Sequence, residues 1–146
     1  PLIGDDVFLL RNSDSFWLDG VRPNLTWLAS AWDSRRMDVL LLLAPSVHAV
    51  GYSGRGDFLL DKDGRLSRRA ERTIAPFVYA GAAILHPRLF TDSPDGPFSL
   101  NLIYDRALAA GRLYGLCHDG TWYHVGTPED LERVEAALAP GGEPVF

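Results

Sequence analysis

The stretch Leu113-Tyr114-Gly115-Leu116-Cys117-His118-Asp119-Gly120-Thr121-Trp122-Tyr123-His124-Val125-Gly126-Thr127-Pro128-Glu129-Asp130-Leu131, continued to Leu138, decides the fold class. It reads as strand, turn, strand, glycine, helix. Asp119-Gly120 lies between two apolar runs, residues 114–117 and 122–125, and both residues tolerate positive φ, so a tight hairpin turn is predicted. Thr127 supplies an N-cap oxygen, and Pro128 stands at the first helical position, where its missing N–H is no loss. Glu129 and Asp130 add negative charge at the positive end of the helix dipole. Leu131, Val134 and Leu138 recur at helical spacing and predict one buried face. A strand with polar last side chains, running through glycine into a capped helix, sets His124 at the carboxyl end of a sheet. Open α/β sheets bind ligands there. Thr-Pro-Glu-Asp is also an ordinary helix start, and by itself it carries no function.

Around this stretch lie 146 residues, 47% hydrophobic and 23% charged, one domain's worth of globular material. No apolar run approaches the roughly 20 residues of a membrane span, and the opening Pro-Leu-Ile-Gly-Asp-Asp lacks the basic start of a signal peptide. A net charge of −5 argues against a nucleic-acid partner, since phosphate backbones are gripped by excess positive charge. Cys117 stands alone in an apolar strand pattern, so no intrachain disulfide forms and a cytoplasmic, reducing setting is expected.

Upstream, residues 7–11 form an unbroken apolar run of the kind found in parallel strands buried on both faces. A helix presenting Leu25, Leu28, Ala29 and Trp32 follows Pro23, and residues 39–43 make a second such strand, stopped by Pro45. The three together predict a right-handed βαβ unit. Residues 58–60 and 65–66, joined by Asp61-Lys62-Asp63-Gly64, read as a β-hairpin. Gly51, Gly54 and Gly56 before it lack the Lys-Ser/Thr that ends a phosphate-cradling loop. Arg68, Arg69 and Arg72 form a small basic cluster, either a solvated face or, through Arg69, a contact to a sugar phosphate. Residues 75–85 return to strand, and Gly81 inside it marks a bulge or a close approach of a ligand to the backbone. Ser99 is expected to cap a helix whose apolar face is Leu100, Ile103, Tyr104, Ala107 and Leu108, with Gly111 ending it. Residues 1–139 thus read as one domain and 140–146 as a frayed tail.

Asp14 ends the first strand and is expected at the same sheet edge as His124. A carboxylate there, with a second ligand opposite, suits Mg²⁺, which takes one or two protein oxygens and completes its shell with water and phosphate. A turn-forming role is the bland alternative for an Asp after a strand. The four histidines have no zinc spacing, and no Ser-His-Asp or Cys-His arrangement is visible.

Phe8-Leu9-Leu10-Arg11-Asn12-Ser13-Asp14 resembles the F-L-V-V-N-G-D strand of sugar-1-phosphate nucleotidylyltransferases. Phe58 to Leu66 is similar to that family's hairpin, Tyr79-Ala80-Gly81-Ala82-Ala83-Ile84-Leu85-His86-Pro87 to its Y-T-G-I-x-I-L-H-P strand, and Trp122 to Glu129 to its W-x-D-V-G-T-P-E segment. The motifs occur in order and span essentially the whole chain; within the family they look most like the bacterial N-acetylmuramate-1-phosphate uridylyltransferase and mannose-1-phosphate guanylyltransferase group.

The resemblance implies an α/β, Rossmann-like nucleotidyltransferase fold of the glycosyltransferase-A type, a three-layer sandwich with a mixed, mostly parallel sheet. It implies metal-dependent transfer of a nucleotidyl group from a nucleoside triphosphate to a sugar 1-phosphate, for cell-wall or polysaccharide precursors. Asp14 would be catalytic as a metal ligand, His124 would fall at the second ligand position, and Asn12, Tyr79 and Gly81 would face the sugar phosphate. Mg²⁺ is the expected cofactor, with Mn²⁺ as the alternative. Two departures stand out: His124 replaces the family's second metal-binding aspartate, and the G-x-G-T-R-M-x-P phosphate loop is absent from these residues. The chain therefore reads as a carboxyl-terminal half, inactive alone, whose sheet edges would self-associate or pair with the amino-terminal half. A non-catalytic nucleotide or sugar-phosphate sensor is the alternative that His124 favours. A metal-dependent glycosyltransferase ranks last, because no Asp-x-Asp follows the first strand.

Overall fold

The computed structural model describes residues 4–139, so the tail at 140–146 lies outside the described residues. The elements are β1 (Phe8–Arg11), β2 (Ser15–Leu18), α1 (Asn24–Ala31), β3 (Val39–Pro45), β4 (Ala49–Val50), β5 (Phe58–Leu60), β6 (Leu66–Arg68), β7 (Phe77–Leu85), α2 (Asn101–Ala109), β8 (Leu113–Cys117), β9 (Thr121–His124) and α3 (Pro128–Leu138).

β3 is the spine. Val39, Leu41 and Leu43 enter one apolar core, and Leu40, Leu42 and Ala44 enter a second on the opposite face. That is why this run is apolar without alternation. Each fully buried leucine contributes on the order of 2 kcal/mol. Ile103, Tyr104 and Ala107 of α2 complete the first core, and Leu28 of α1 the second. The result is the expected layering of helices about a mixed sheet.

The main sheet runs β6-β5-β7-β3-β8, with β1 also on β7. β7 is antiparallel to β1, β3 and β5, whereas β3 and β8 are parallel. β1, β3, β5 and β8 therefore point one way, yet the parallel share of the pairing is smaller than expected because reversed β7 sits at the centre. A second sheet, β2-β9-β4, joins α1 in covering the second core through Trp17, Trp122 and Ala49, with Tyr52 from the loop after β4. α3 packs beyond it, with Val134 among Val50, Tyr123 and Phe16.

Several sequence expectations need correction. β1 is not buried on both faces: it flanks β7 antiparallel, its burial alternates, and Leu9 is 50% exposed. β1 and β3 do run the same way, but β7 lies between them and the unanticipated β2 precedes α1. Residues 114–117 and 122–125 do not form a hairpin. The β8 backbone is taken by β3 and by Gly64, whose carbonyl accepts from Gly115 N at 2.9 Å, so β9 pairs with β2 and β4 instead. Asp119 and Gly120 thus turn the chain between sheets, with Gly120 N donating to His118 Nδ1 at 3.0 Å. On α3, Val134 is buried but Leu131 and Leu138 are 45% and 46% exposed, because the second sheet covers only part of the helix.

The helix ends follow local chemistry more faithfully. Thr127 Oγ1 accepts from Asp130 N at 3.1 Å and Asp130 Oδ2 from Thr127 N at 3.1 Å, a reciprocal capping box ahead of Pro128. α2 starts at Asn101, one turn residue later than a Ser99 cap would give, although Ser99 Oγ still accepts from Asn101 N at 3.3 Å. It closes at Gly111, whose φ of 64° lets Gly111 N reach Leu108 O and Arg112 N reach Ala107 O.

Candidate active site

β7 carries the feature on which the site is built. At Gly81 φ is +86°, and the β7 register against β3 slips between Leu41 and Leu43, so the strand bulges. The Gly81 carbonyl accepts from Asn12 N at 2.8 Å, drawing the β1–β2 turn onto the bulge. A side chain on Gly81 would collide with Ser15 Oγ and press on Asn12. The close approach that this glycine permits is therefore made by the chain's own turn.

Asp14 lies in that turn. Its carbonyl accepts from Val125 N at 2.8 Å, and the next residue, Ser15, is the direct register partner of His124. Asp14 and His124 thus lie near one another through the β2–β9 pairing and not as two parallel strand ends. His124 stacks on Trp122, with ring centroids 5.9 Å apart and planes 24° from parallel. Asn12, Asp14, Ser15, Tyr52, Tyr79, Trp122 and His124 line a cleft of about 100 Å³. Tyr52 and His124 also border a wider hollow of about 560 Å³ against the start of α3.

The Asp14 carboxylate is exposed and enters no hydrogen bond or ion pair among the described residues. No group of three His, Cys, Asp or Glu gathers for a metal among the described residues either. A single free carboxylate with an imidazole beside it fits a divalent cation that takes one or two protein ligands and fills its shell from water and phosphate. The nitrogen suits Mn²⁺ better than Mg²⁺. Tyr79 forms one wall: burial pushes its phenol well above the ordinary range, with Tyr104 and then Asp14 adding to the effect. The hydroxyls of Tyr79 and Tyr104 are both buried without a hydrogen-bond partner among the described residues, and the rings meet edge-on at 5.9 Å. These phenols stay neutral.

Asn12, Asp14, Tyr79 and His124 are thus together, and Gly81 lies directly behind them. Arg69 is elsewhere. Its Nε donates to Gly56 O at 3.1 Å and its Nη1 to Thr73 O at 3.0 Å, so the guanidinium braces the loop before β7. Sequence reasoning missed Ser15, Tyr52 and Trp122. Trp122 sits in the quoted motif and could have been singled out; Ser15 and Tyr52 give no signal without the strand pairing.

No protein-family model matches the chain. N-acetylmuramate alpha-1-phosphate uridylyltransferase of Caulobacter vibrioides is 39% identical over 138 residues, 94% of this chain and 57% of that protein. The chain is thus similar in sequence to part of one sugar-1-phosphate nucleotidylyltransferase. It spans little more than half the length of the curated relative that it matches. Solved structures similar to this chain in fold include HddC from Yersinia pseudotuberculosis complexed with GMP-PN, at TM-score 0.62 and 19% identity over 88% of this chain and 54% of that one. The inositol-1-phosphate CTP transferase of T. maritima matches at TM-score 0.60 and 14% identity over 96% and 60% of the two chains. At these identities the two structures show a shared fold. No helix among the described residues is long and apolar enough to cross a membrane.

Proposed function

We propose that this chain is the sugar-phosphate side of a nucleotidylyltransferase, and that the full-length protein joins a nucleoside triphosphate to a sugar 1-phosphate with release of pyrophosphate. The observation that carries the reading is that Asp14, the residue before His124's register partner Ser15, and His124 line one cleft, which Tyr79 also borders. The 39% identical relative is named for this class of reaction.

Asp14, through its free carboxylate, and His124, through a ring nitrogen, would hold a divalent cation. When bound, such a cation neutralises charge on reacting phosphate. The sugar phosphate oxygen attacks the α-phosphorus in line, and pyrophosphate leaves on the opposite side. Catalysis of this kind is mostly positioning and electrostatic stabilisation. The work of the protein is accordingly to fix the two reactants, and Asn12 and Tyr79, which line the cleft, would flank the sugar phosphate. Tyr79, kept neutral by burial, would border the cleft without repelling phosphate.

The deciding assay is pyrophosphate release by the full-length protein, with Mg²⁺ or Mn²⁺, across nucleoside triphosphates and sugar 1-phosphates. Turnover that Asp14→Asn abolishes is the expected result, and retained turnover in that variant would sink the assignment. His124, a nitrogen where its relatives' motif has an oxygen ligand, favours a second reading as a nucleotide or sugar-phosphate sensor. Nucleotide binding without any pyrophosphate release would select it.

A further inference from the structure

At the Gly81 bulge the Gly81 carbonyl continues the β1–β7 register, whereas the Ala80 carbonyl has left the β3–β7 ladder, and both are claimed by segments adjoining Asp14 and His124. Gly81 O accepts from Asn12 N at 2.8 Å. Ala80 O, on a residue with no exposed surface, accepts twice, from Trp122 Nε1 at 2.9 Å and from Ser15 Oγ at 3.3 Å. Ser15 is the residue after Asp14, and Trp122 is the residue on which the His124 ring stacks. One backbone oxygen of the main sheet is therefore bonded to a neighbour of each candidate ligand.

Asp14 itself is held on three sides through its backbone surroundings: Asn12 to Gly81, Asp14 O to Val125 N at 2.8 Å, and Ser15 to Ala80. Its carboxylate stays free. Without the bulge, Ala80 O would be directed into the β3–β7 ladder, and the second sheet would have no fixed point on the first at this position. Trp122 and Ser15 meet the requirement for buried polar groups by sharing this acceptor. Their sharing links β2 and β9 of the second sheet to one another as well as to β7.

Resting on the proposed metal reading, we propose that the Ala80–Gly81 bulge is the positioning element of the site, and that Trp122 and Ser15 are positioning residues that set the separation of the His124 imidazole from the Asp14 carboxylate. Ligands placed by a rigid outer shell bind metal more tightly, and changes in that shell typically cost about 10–100-fold in affinity. Trp122→Phe keeps an aromatic ring for His124 to stack on and removes only the N–H. Ser15→Ala removes one oxygen.

The test is Mn²⁺ affinity of the full-length protein, read as free Mn²⁺ by electron paramagnetic resonance, together with the visible spectrum of the Co²⁺-loaded protein. Each variant is expected to weaken Mn²⁺ binding by about tenfold or more and to alter the Co²⁺ bands. The double variant should lose less than the product of the two single losses, because both donors share Ala80 O. Wild-type affinity and spectrum in both single variants would overturn the inference. Should Trp122→Phe fail to fold, Ser15→Ala alone decides. Wild-type protein that binds no Mn²⁺, or an Asp14→Asn variant that binds it normally, would instead overturn the metal reading and the inference with it.

Discussion

Arg112, just ahead of β8, donates from Nε to Asp38 Oδ1 at 2.8 Å, and Arg88 donates to the same oxygen from Nε at 2.6 Å. Asp38 is buried at the amino end of β3, and the two guanidiniums also reach the carbonyls of Ser34 and Met37. Three segments far apart in sequence are pinned at the end of the spine away from the cleft.

Asp38→Asn should therefore destabilise the protein by about 2 kcal/mol. Losing one member of a fully buried pair costs about 3–5 kcal/mol. The arginine side chains here are 41% and 28% exposed, and solvent relieves part of that cost. Urea unfolding measures it, and a midpoint equal to wild type would show that the ion pair is idle.

Stability should fall as the solution is acidified through the histidine range. Burial pushes His118 below its ordinary 6.5, with Asp119 and Asp19 opposing more weakly, and burial followed by Arg88 does the same to His86. The folded chain then holds fewer protons than the unfolded one near pH 6, so the stability present above about 6.5 is lost as pH drops through the folded-state values. His118 Nδ1 must also stay unprotonated to accept from Gly120 N. His118→Asn offers an acceptor at a similar place without titrating and should flatten the slope of melting temperature between pH 7.5 and 5.5.

Thr127→Ala should cost about 1 kcal/mol, the usual loss for an N-cap. The variant removes the oxygen that accepts from Asp130 N and leaves the other half of the box, the backbone N of residue 127 donating to Asp130 Oδ2, in place. Thermal unfolding reads the loss. No change would mean that α3 is held by Val134 alone.

His124→Asp should shift metal preference toward Mg²⁺ over Mn²⁺ by about tenfold, since an oxygen ligand suits the harder ion. Competition titrations of the two ions check this. An unchanged ratio would place His124 outside the ligand shell.

The sequence by itself determined the features whose causes are local. Thr127, Pro128 and Asp130 cap α3 wherever it packs, Gly111 ends α2 through a backbone angle glycine reaches easily, and the continuous apolar run of β3 announces burial on both faces. The motifs carrying Asp14 and His124 were legible for the same reason, as short runs of fixed spacing. Tertiary structure decided which strands pair. Residues 114–117 and 122–125 look like a hairpin, yet the first is consumed by β3 and the second by β2 and β4, because backbone donors and acceptors are alike in every strand and only competition among them selects partners. The same competition made β2 a strand and spent Arg69 on the carbonyls of Gly56 and Thr73. It also gave the Ala80 carbonyl to Trp122 and Ser15, a contact between residues 42 and 65 positions apart that no local pattern encodes.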